Sequence, residues 1–324
     1  MTGFVGGYKE LIEEGDDVIV YLNYKNTHCL RVERGRVFQT RFGALRHDFV
    51  IGQRYGSLVQ TTKGFVHLLH PTVDLWTANV DHRTQIVYCW DASLAVLGLD
   101  LAPGSVVVEA GTGSGSLSHV LAQAVAPGGH VHTFDFHEQR VGAASGEFER
   151  HGLGQLVSCS QRDVCGLGFP DELVGLADAV FLDLPKPYAA VTHARRVLKP
   201  AEGGRICCFS PCIEQVQQTA VVLAQQGFVE IDTVECIPRT LKIHKLPSFA
   251  AQTSSETNLG PEPAKRARTS EADPDVPQSW DGSVACPAKQ PTHTGYLTFA
   301  TLPPCGPPET DDNNCSDNSE AMAV

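Results

Sequence analysis

The chain has 324 residues, of which 42% are hydrophobic and 11 are cysteine, and its formal net charge is −12 at neutral pH. This length allows one large domain or two modest ones, with enough apolar residues for a globular core. We find no signal peptide and no apolar run of roughly 18 residues, so we expect an intracellular protein without a membrane span. The cysteines are odd in number and lack paired C-x-x-C spacing, which predicts reduced thiols and argues against a metal site.

The charge is unevenly distributed along the chain. Residues 249–324 contain 11 acids and 4 bases, whereas residues 24–47 contain six Lys and Arg side chains against one Glu. A basic patch on an acidic protein can attract polyanions, but many such patches are ordinary solvated surface. Charge alone therefore leaves RNA contact and a solvated face as equal alternatives for residues 24–47.

The residues before position 80 contain short β-rich runs separated by glycines, which predicts a small β-barrel-like domain. A helix is expected near residues 84–97. From about residue 100, strand-like runs alternate with helical patterns, as is typical of a mostly parallel, doubly wound α/β sheet. The predicted strands of this part are 105–110, 130–136, 156–160, 177–183, 204–210, 228–235 and 293–300.

The composition changes again towards the end of the chain. Residues 246 to about 290 are rich in Ser, Thr, Pro, Glu and Ala, which predicts a disordered insertion. Residues 301–324 are Pro-rich and then acidic, which predicts a disordered tail. The predicted organisation is thus a β-rich domain at 1–80, an α/β domain at 81–300 that contains the insertion, and the tail. The tetrapeptide KRAR, residues 265–268, has the pattern of a nuclear import signal.

The stretch EAGTGSGSLS, residues 109–118, joins a predicted strand to a predicted helix. Gly111, Gly113 and Gly115 allow a tight turn and a close approach to a ligand. A dinucleotide loop reads G-x-G-x-x-G, whereas this loop reads G-x-G-x-G and follows Glu109, which would repel a pyrophosphate. Glu109 can instead suit the ammonium of a bound amino acid, and the helix start at Ser114 to Ser116 can suit its carboxylate. S-adenosylmethionine carries both groups.

Further acids follow the next predicted strands. Asp135 ends the second strand and can accept hydrogen bonds from ribose hydroxyls, and Asp163 follows the third, where it can accept from an adenine amine. The carboxyl ends of the strands are where open α/β sheets bind ligands. Each acid alone fits a structural cap or a surface position better, but together with Glu109 and the glycine loop they predict an S-adenosylmethionine site.

Seven motifs in this order resemble a known family, the catalytic subunits of eukaryotic tRNA (adenine-N1-)-methyltransferase, which form 1-methyladenosine at tRNA position 58. The motifs are HRTQIVY (82–88), EAGTGSGSLSH (109–119), HTFDFHEQR (132–140), QRDVC (161–165), FLDLPKP (181–187), FSPCIEQVQ (209–217) and HTGYLTFA (293–300). Many methyltransferases share the glycine loop, whereas HRTQI, LDLPKP and SPCIEQ are much more specific. The resemblance implies a Rossmann-like, seven-stranded methyltransferase sheet and a methylated tRNA product, with T-loop-like mRNA sites as a further possible substrate.

The resemblance also implies roles for individual positions. Those matching the family's cofactor site are Val87, Ser114, Gly115, Ser116, Asp135, Arg140, Asp163, Val164 and Asp183. Those matching tRNA-contacting segments are Val37, Phe38, Gln39, Thr40, Arg41, Phe42, Gly43, Ala44, Leu182, Leu184, Pro185, Cys208, Phe209, Ser210, Pro211, Cys212, Ile213, Glu214, Gln215 and His293. Asp135 stands where similar members usually have Glu, and either acid can accept from a ribose diol. A non-catalytic partner subunit, in a heterotetramer with two of each, and a nuclear location are implied as well.

Asp183 is the predicted catalytic residue. Adenine N1 attacks the sulfonium methyl group directly, and the product stays cationic until its exocyclic amine loses a proton. A carboxylate can orient the base, stabilise the developing charge and take that proton. Pro185 and Pro187 restrict the backbone that follows Asp183.

Three other functions share part of this pattern. A protein methyltransferase of the isoaspartyl type shares the glycine loop, but the carboxylate of Asp183 would repel its acidic substrate. A non-catalytic RNA-binding subunit should have lost the loop glycines or Asp183, and this sequence has both. A dinucleotide oxidoreductase conflicts with the loop spacing.

Overall fold

The computed structural model describes residues 9–80, 83–237, 241–247, 279–285 and 295–305. The elements are β1 (Asp17–Asn23), β2 (Asn26–Arg31), β3 (Val37–Thr40), β4 (Gly43–Arg46), β5 (Leu58–Gln60), β6 (Phe65–Leu69), α1 (Val73–Thr77), α2 (Cys89–Gly98), β7 (Val106–Ala110), α3 (Ser116–Val125), β8 (His130–Asp135), α4 (Glu138–Arg150), β9 (Val157–Gln161), α5 (Val164–Leu167), β10 (Ala179–Leu182), α6 (Pro187–Val197), β11 (Gly204–Ser210), α7 (Ile213–Gln225), β12 (Val229–Val234), β13 (Leu241–Pro247), β14 (Ser279–Ala285) and β15 (Tyr296–Leu302). In the described part of the chain, no helix has the length and hydropathy needed to cross a membrane.

The first six strands form a small β domain. β2, β1, β6 and β5 make a four-stranded antiparallel sheet in that order, and β3 and β4 form a separate hairpin. Val18 and Val20 of β1 share one core with Val66 and Leu68 of β6, because residues two apart in a strand point to the same face. The predicted N-terminal β domain is confirmed, as an open sheet with a hairpin.

The second part of the chain forms a seven-stranded sheet in the order β12-β15-β11-β10-β7-β8-β9. β7 to β11 are parallel, and β15 lies antiparallel between β11 and β12. Residues of α2, α3 and α4 pack on one face of the sheet, and residues of α5, α6 and α7 pack on the other. The continuous apolar runs in β7 and β10 follow from this arrangement, because both faces of these strands are covered. The predicted doubly wound α/β fold is confirmed.

The strand order reverses beside β7. The chain continues from β7 to β8 on one side, and later places β10 on the other side. The backbone N–H of Asp183 donates to the carbonyl of Ala110 at 2.8 Å, so the ends of β10 and β7 remain joined just beyond the paired residues. Open α/β sheets bind their ligands at such a reversal, outside the carboxyl ends of the strands.

The helix predicted near residues 84–97 begins later, at Cys89. The backbone N–H of Arg83 donates to Ser114 Oγ at 3.2 Å, and Ser116 Oγ donates to the carbonyl of Val87 at 3.2 Å. These contacts hold residues 83–88 against the glycine loop in a non-helical conformation, so tertiary contacts override the local helical pattern.

Strands β13 and β14 belong to a second compact unit of the chain. Within it, β13 and β14 pair in antiparallel register, from Leu241 opposite Ala285 to Pro247 opposite Ser279. The composition predicts disorder from 246 to about 290, whereas residues 246–247 lie in β13 and residues 279–285 form β14, so the prediction is wrong at these positions. The remainder of the predicted insertion with its KRAR sequence, His293 and the acidic residues beyond position 305 lie outside the described residues.

Candidate active site

Three cavities meet at the carboxyl ends of β7, β8 and β10, and Gly111 and Asp183 line all three. The Phe134 cavity, of about 300 Å³, is lined by Gly111, Phe134, Asp135, Phe136, His137, Arg140, Arg162, Asp163, Val164, Cys165, Asp183, Leu184, Pro185 and Lys186. The Phe209 cavity, of about 260 Å³, is lined by Thr84, Gln85, Gly111, Gly113, Asp135, Arg140, Asp183, Leu184, Pro185, Phe209, Pro211 and Gln215. The loop cavity, of about 20 Å³, is lined by Thr84, Gln85, Ile86, Val87, Gly111, Thr112, Gly113, Ser114, Ser116, Leu117 and Asp183.

The glycine loop connects β7 to α3 along the floor of these cavities. Gly111 has a φ of +104° and Gly113 a φ of +53°, both in the region that favours glycine. A Cβ atom on Gly113 would lie 2.6 Å from Thr84 Oγ1, so the loop also has no room for a side chain there. Gly115 precedes α3 as its N-terminal capping residue, with a φ of +76°. The loop conformation therefore requires the glycines found in the sequence.

Asp135 ends β8 beside the glycine loop and is 5% exposed. Its Oδ2 accepts from the Gly113 N–H at 2.9 Å, its Oδ1 accepts from the His137 N–H at 2.9 Å, and Arg140 Nη1 lies 3.7 Å from Oδ1. Each carboxylate oxygen retains a lone pair beyond these contacts. The Asp135 carboxylate is thus fixed at the border of the Phe134 and Phe209 cavities, where it can accept hydrogen bonds from a diol.

Asp163 and Val164 lie at the far side of the Phe134 cavity. Asp163 caps α5, because its Oδ1 accepts from the Gly166 N–H at 3.0 Å. The cap leaves the other carboxylate oxygen outside this hydrogen bond. Val164 is 3% exposed and adds an apolar side chain to the same cavity. This pairing of a carboxylate with an apolar wall suits a flat heterocycle that carries an amine.

Asp183 lies at the junction of the three cavities, partly buried, directly after β10. Burial, and to a smaller extent the charge of Asp135, raises the pKa of the Asp183 carboxyl to about 7. A carboxyl with this pKa is divided between its acid and carboxylate forms at neutral pH. Such a group can both accept and return a proton in that range.

Glu109 has a different surrounding from the one expected for a ligand contact. It is 1% exposed, its Oε2 accepts from Ser118 Oγ of α3 at 2.5 Å, and it lines none of the Phe134, Phe209 and loop cavities. Burial raises the pKa of its carboxyl to about 7, and the charges of Asp183 and Asp135 act in the same direction. The structure therefore places Glu109 beneath the glycine loop, where it supports α3. Its contact with the ammonium of a bound amino acid stays a prediction.

The remaining predicted cofactor residues lie together. Val87, Ser114 and Ser116 line the loop cavity, and Arg140 lines the two larger cavities. Gly115 contributes the turn before α3 and lines none of these three cavities.

The predicted tRNA-contacting residues between Leu182 and Gln215 fall into three groups. Leu184, Pro185, Phe209, Pro211 and Gln215 line the Phe209 cavity, and Leu184 and Pro185 line the Phe134 cavity as well. Cys212, Ile213 and Glu214 lie where α7 begins, outside both cavities. The side chains of Leu182, Cys208 and Ser210 are fully buried in β10 and β11, which leaves them no exposed surface for the predicted contact.

The stretch from Val37 to Ala44 lies elsewhere, in the β3–β4 hairpin of the N-terminal domain. The Arg41 guanidinium carbon lies 4.9 Å from the centre of the Phe42 ring. This hairpin is not part of the three cavities, so any contact it makes with a large substrate is made at a distance from Asp183.

In the two larger cavities, several lining residues were not among the predicted site residues, namely Thr84, Gln85, Phe134, Phe136, His137, Arg162, Cys165 and Lys186. Thr84 and Gln85 belong to the motif HRTQIVY. The sequence signal that could have identified them is Val87, a predicted cofactor residue in the same motif. Their contact with Gly113 and Asp183 depends on the extended path of residues 83–88, which the helical pattern concealed.

A family model described as "tRNA methyltransferase complex GCD14 subunit" matches residues 64–302, which is more than half of the chain. The chain belongs to this family. A second model, "TrmI-like N-terminal", matches residues 11–59, within the β domain.

Relatives within this family extend over most of the chain. It is 38% identical over 325 residues to the tRNA (adenine(58)-N(1))-methyltransferase catalytic subunit TRM61 of Candida albicans, covering 90% of this chain and 97% of the relative. It is 44% identical over 235 residues to the corresponding subunit of Dictyostelium discoideum, covering 71% and 75%. The similarity to these two relatives therefore extends along the chain well beyond the glycine loop.

Solved structures agree with the fold of this GCD14-family chain. A SAM-dependent O-methyltransferase from Thermotoga maritima matches with a TM-score of 0.72 and 26% identity, covering 93% of this chain and 97% of the other. The tRNA (m1A58) methyltransferase TrmI from Aquifex aeolicus matches with a TM-score of 0.66 and 22% identity, covering 90% and 98%. The sheet order described above is thus that of S-adenosylmethionine-dependent methyltransferases.

Proposed function

We propose that the chain is the catalytic subunit of a tRNA methyltransferase, which transfers a methyl group from S-adenosylmethionine to N1 of adenosine 58. The observation that carries this proposal is the position of Asp183, which borders the loop cavity, the Phe134 cavity and the Phe209 cavity at once. A cofactor held in the first two and a base entering through the third would meet at this carboxyl.

The residues fit the proposed cofactor. Glycine at 111 and 113 leaves the backbone bare where a Cβ atom would meet Asp183 and Thr84. Asp135 would hold the ribose hydroxyls, and Asp163 would accept from the adenine amine. When bound, S-adenosylmethionine supplies an electrophilic methyl group on its sulfonium sulfur.

Asp183 has two tasks in this proposal. Its carboxylate accepts a hydrogen bond from the exocyclic amine of the target adenine, which orients N1, and it stabilises the positive charge that develops on the base. After methylation, the amine loses a proton, and a carboxylate whose pKa is about 7 can accept it. The backbone N–H of Asp183 is bonded to Ala110, so the carboxylate is held on a rigid strand end.

Two alternative functions are less consistent with this site. A protein methyltransferase of the isoaspartyl type would have to bring an acidic substrate against Asp183 and Asp135, which like-charge repulsion disfavours. A non-catalytic RNA-binding subunit has no need of Asp183 at the junction of three cavities. Methylation of T-loop-like mRNA sites would use the same adenine chemistry and stays part of the proposal.

The proposal extends to assembly and location. A chain with a net charge of −12 needs help to bind a polyanion, so we infer a second, non-catalytic subunit, with two copies of each chain in a heterotetramer. The name of the matching family model, which speaks of a complex, supports a partner in general terms. The sequence KRAR at 265–268 supports a nuclear location.

The decisive experiment is methyl transfer by the complete complex. The chain is co-expressed with its non-catalytic subunit, incubated with unmodified tRNA and labelled S-adenosylmethionine, and the labelled nucleoside is identified after digestion. We expect 1-methyladenosine, with a rate that falls roughly 100-fold or more in Asp183→Asn. Asp232→Asn is the matched control, because Asp232 is exposed on the edge strand β12. Bound cofactor without transfer to any tRNA would contradict the proposal.

A further inference from the structure

Two buried histidines connect the back of the glycine loop to the N-terminal domain. His119 of α3 is 0% exposed, and its Nδ1 lies 2.6 Å from the carbonyl oxygen of Gly115. Its Nε2 lies 2.8 Å from Nδ1 of His151, which is 3% exposed. Nε2 of His151 in turn lies 3.4 Å from Oδ2 of Asp17, the first residue of β1. Gly115, His119, His151 and Asp17 thus form a continuous chain of polar contacts.

The direction of these hydrogen bonds follows from the Gly115 end of the chain. The Gly115 carbonyl can only accept, so Nδ1 of His119 carries a proton. A neutral imidazole has a single N–H, so Nε2 of a neutral His119 accepts from Nδ1 of His151.

Burial keeps the His119 ring neutral. It lowers the pKa of His119 to about 3, and the charges of His151 and Arg83 act in the same direction. Nδ1 of His151 is therefore the donor to His119, and Asp17 lies beside the other ring nitrogen of His151. Arg83 is itself paired with Glu147, so these two charges offset each other beside the chain.

Helix α1 encloses the histidines. The Trp76 ring lies 4.1 Å from the His119 ring and 5.3 Å from the His151 ring, measured between centroids. The next residue, Thr77, shares a hydrogen bond of 3.0 Å with Ser116, the first residue of α3. The segment that joins the two domains thus packs directly on the helix that begins at the glycine loop.

We propose that His119 is a positioning residue for the cofactor loop, and that His151 and Asp17 hold it in place from the N-terminal domain. The Gly115 carbonyl also accepts the backbone N–H of His119, at 3.1 Å, so the ring adds a second donor to the same oxygen. Gly115 lies between Ser114 and Ser116, which line the loop cavity. The relay therefore fixes the backbone on which the cofactor's amino-acid end would rest. Only the identity of that cofactor depends on the proposed function.

The first test measures the affinity of the full chain for S-adenosylhomocysteine by calorimetry. Losing one buried hydrogen bond predicts about tenfold weaker binding for His119→Ala. His119→Asn should retain much of the affinity, because its amide nitrogen can occupy the position of Nδ1. Asp17→Asn should weaken binding severalfold, although Asp17 lies in the other domain.

The control for this test is Val125→Ala, a buried truncation at the far end of the same helix. It should lower the unfolding temperature and leave the affinity unchanged. The proposal would be overturned if, across the four variants, the loss of affinity were simply proportional to the loss of stability.

The second test needs no ligand and is therefore separable from the proposed function. Long-range proton–nitrogen correlation spectra of the histidine-labelled chain at pH 7 should show His119 neutral with its proton on Nδ1, and a proton on Nδ1 of His151. A proton on Nε2 of His119, or Nδ1 of His151 without a proton, would overturn the relay. A wild-type chain that bound no S-adenosylhomocysteine would count against the proposed function, while these spectra would still decide the proton arrangement.

Discussion

A Cβ atom built on Gly111 would lie 2.1 Å from the backbone oxygen of Asp183. This separation is far below any ordinary contact distance, so the first turn of the glycine loop and the end of β10 touch only because residue 111 is glycine. The Asp183 N–H is also bonded to Ala110, the residue before Gly111. The cofactor loop and the proposed catalytic carboxylate are therefore parts of one rigid contact.

Replacing Gly111 by alanine should abolish both cofactor binding and catalysis. The backbone of Asp183 would have to move by more than an ångström, and a misplacement of that size can lower a rate about 100-fold or more. Gly104→Ala is the matched control, because Gly104 has a similar φ of +99° and a Cβ atom there would meet no described atom within 4 Å. Both variants should lose about 1–2 kcal/mol of stability from backbone strain, but only Gly111→Ala should lose affinity for S-adenosylhomocysteine in calorimetry.

The rate of methyl transfer should rise with pH through about 7. The active form of Asp183 in the proposal is the carboxylate, and burial raises its pKa to about 7, so acid is expected to protonate and inactivate it. Single-turnover rates between pH 5.5 and 8.5, at saturating cofactor and constant ionic strength, measure the midpoint. A rate that is flat over this range would show that the protonation state of Asp183 is irrelevant to the chemical step.

The charge of Asp135 should shift that midpoint. Asp135 is the charged neighbour that raises the pKa of Asp183 in addition to burial, so Asp135→Asn should move the midpoint to lower pH. Asp163→Asn serves as the comparison, since Asp163 lines the Phe134 cavity without being a cause of the shift. Equal displacement in both variants would argue for a general change in the cavity and against a direct effect of charge.

The sequence was sufficient to predict the alternating α/β elements and the acids at the strand ends, because parallel strands bring such acids to one edge. It could not show that the side chains of Glu109, Leu182 and Cys208 are buried. These residues lie in strands that are covered on both faces, and a continuous apolar run gives no alternation from which to assign a face. Only the packing of α3 against β7 shows that Glu109 points to Ser118.

The start of α2 illustrates a second limit. Residues 84–88 continue the helical pattern of α2, yet Ser114 and Ser116 of the glycine loop bond to the backbone at Arg83 and Val87. The loop and this segment are about 30 positions apart, so no local pattern predicts their contact. Thr84 and Gln85 consequently became visible as cavity residues only in the folded chain.

Glu109 should make the protein less stable as the pH rises from about 4.5 to 7. The unfolded chain ionises this group near 4.5, whereas burial keeps it protonated in the folded chain until about 7, so the native state holds the extra proton in between. Above pH 7 the full penalty, about 3 kcal/mol, applies. Glu109→Gln should remove this contribution and gain stability at pH 8 relative to pH 5 in urea unfolding.

The comparison for Glu109 is Glu138→Gln, an exposed glutamate at the start of α4. Its difference from wild type should be the same at pH 5 and pH 8. Asp183 also has a raised pKa, so it lowers the stability with rising pH in the wild type and in both variants. The difference in stability between Glu109→Gln and the wild type therefore reports on Glu109 alone. A parallel stability profile for Glu109→Gln and wild type would refute the assigned pKa.

Arg41→Ala should weaken tRNA binding by the complex without changing its affinity for S-adenosylhomocysteine. Arg41 is exposed on the β3–β4 hairpin and lies over the Phe42 ring, within the basic stretch 24–47. Loss of one phosphate contact should reduce the slope of log affinity against log salt by about 1. Arg54→Ala is the control, because Arg54 lies outside this stretch and pairs with Glu10 at 2.9 Å. An unchanged salt slope would place the hairpin away from the nucleic acid.

Gln215 should help to recognise the exocyclic amine of the target adenine. Its Nε2 donates to the carbonyl of Pro185 at 2.9 Å, which leaves Oε1 as an acceptor, and this buried atom has no hydrogen-bond partner within the described chain. Gln215 lines the Phe209 cavity together with Asp183. Gln215→Leu should therefore lower kcat/KM for tRNA about tenfold and leave cofactor affinity unchanged.

This contact can be tested by removing the amine from the substrate and the amide from Gln215, separately and together. A tRNA with purine riboside at position 58 lacks the amine but retains N1, so the wild-type complex should methylate it more slowly than adenosine. In Gln215→Leu the ratio of the two rates should shrink by roughly the amount that the substitution costs with adenosine, because the partner of Oε1 is then already absent. Asp183 still discriminates in both enzymes, so some preference should persist. A ratio identical to that of wild type would assign Gln215 to the support of Pro185 alone.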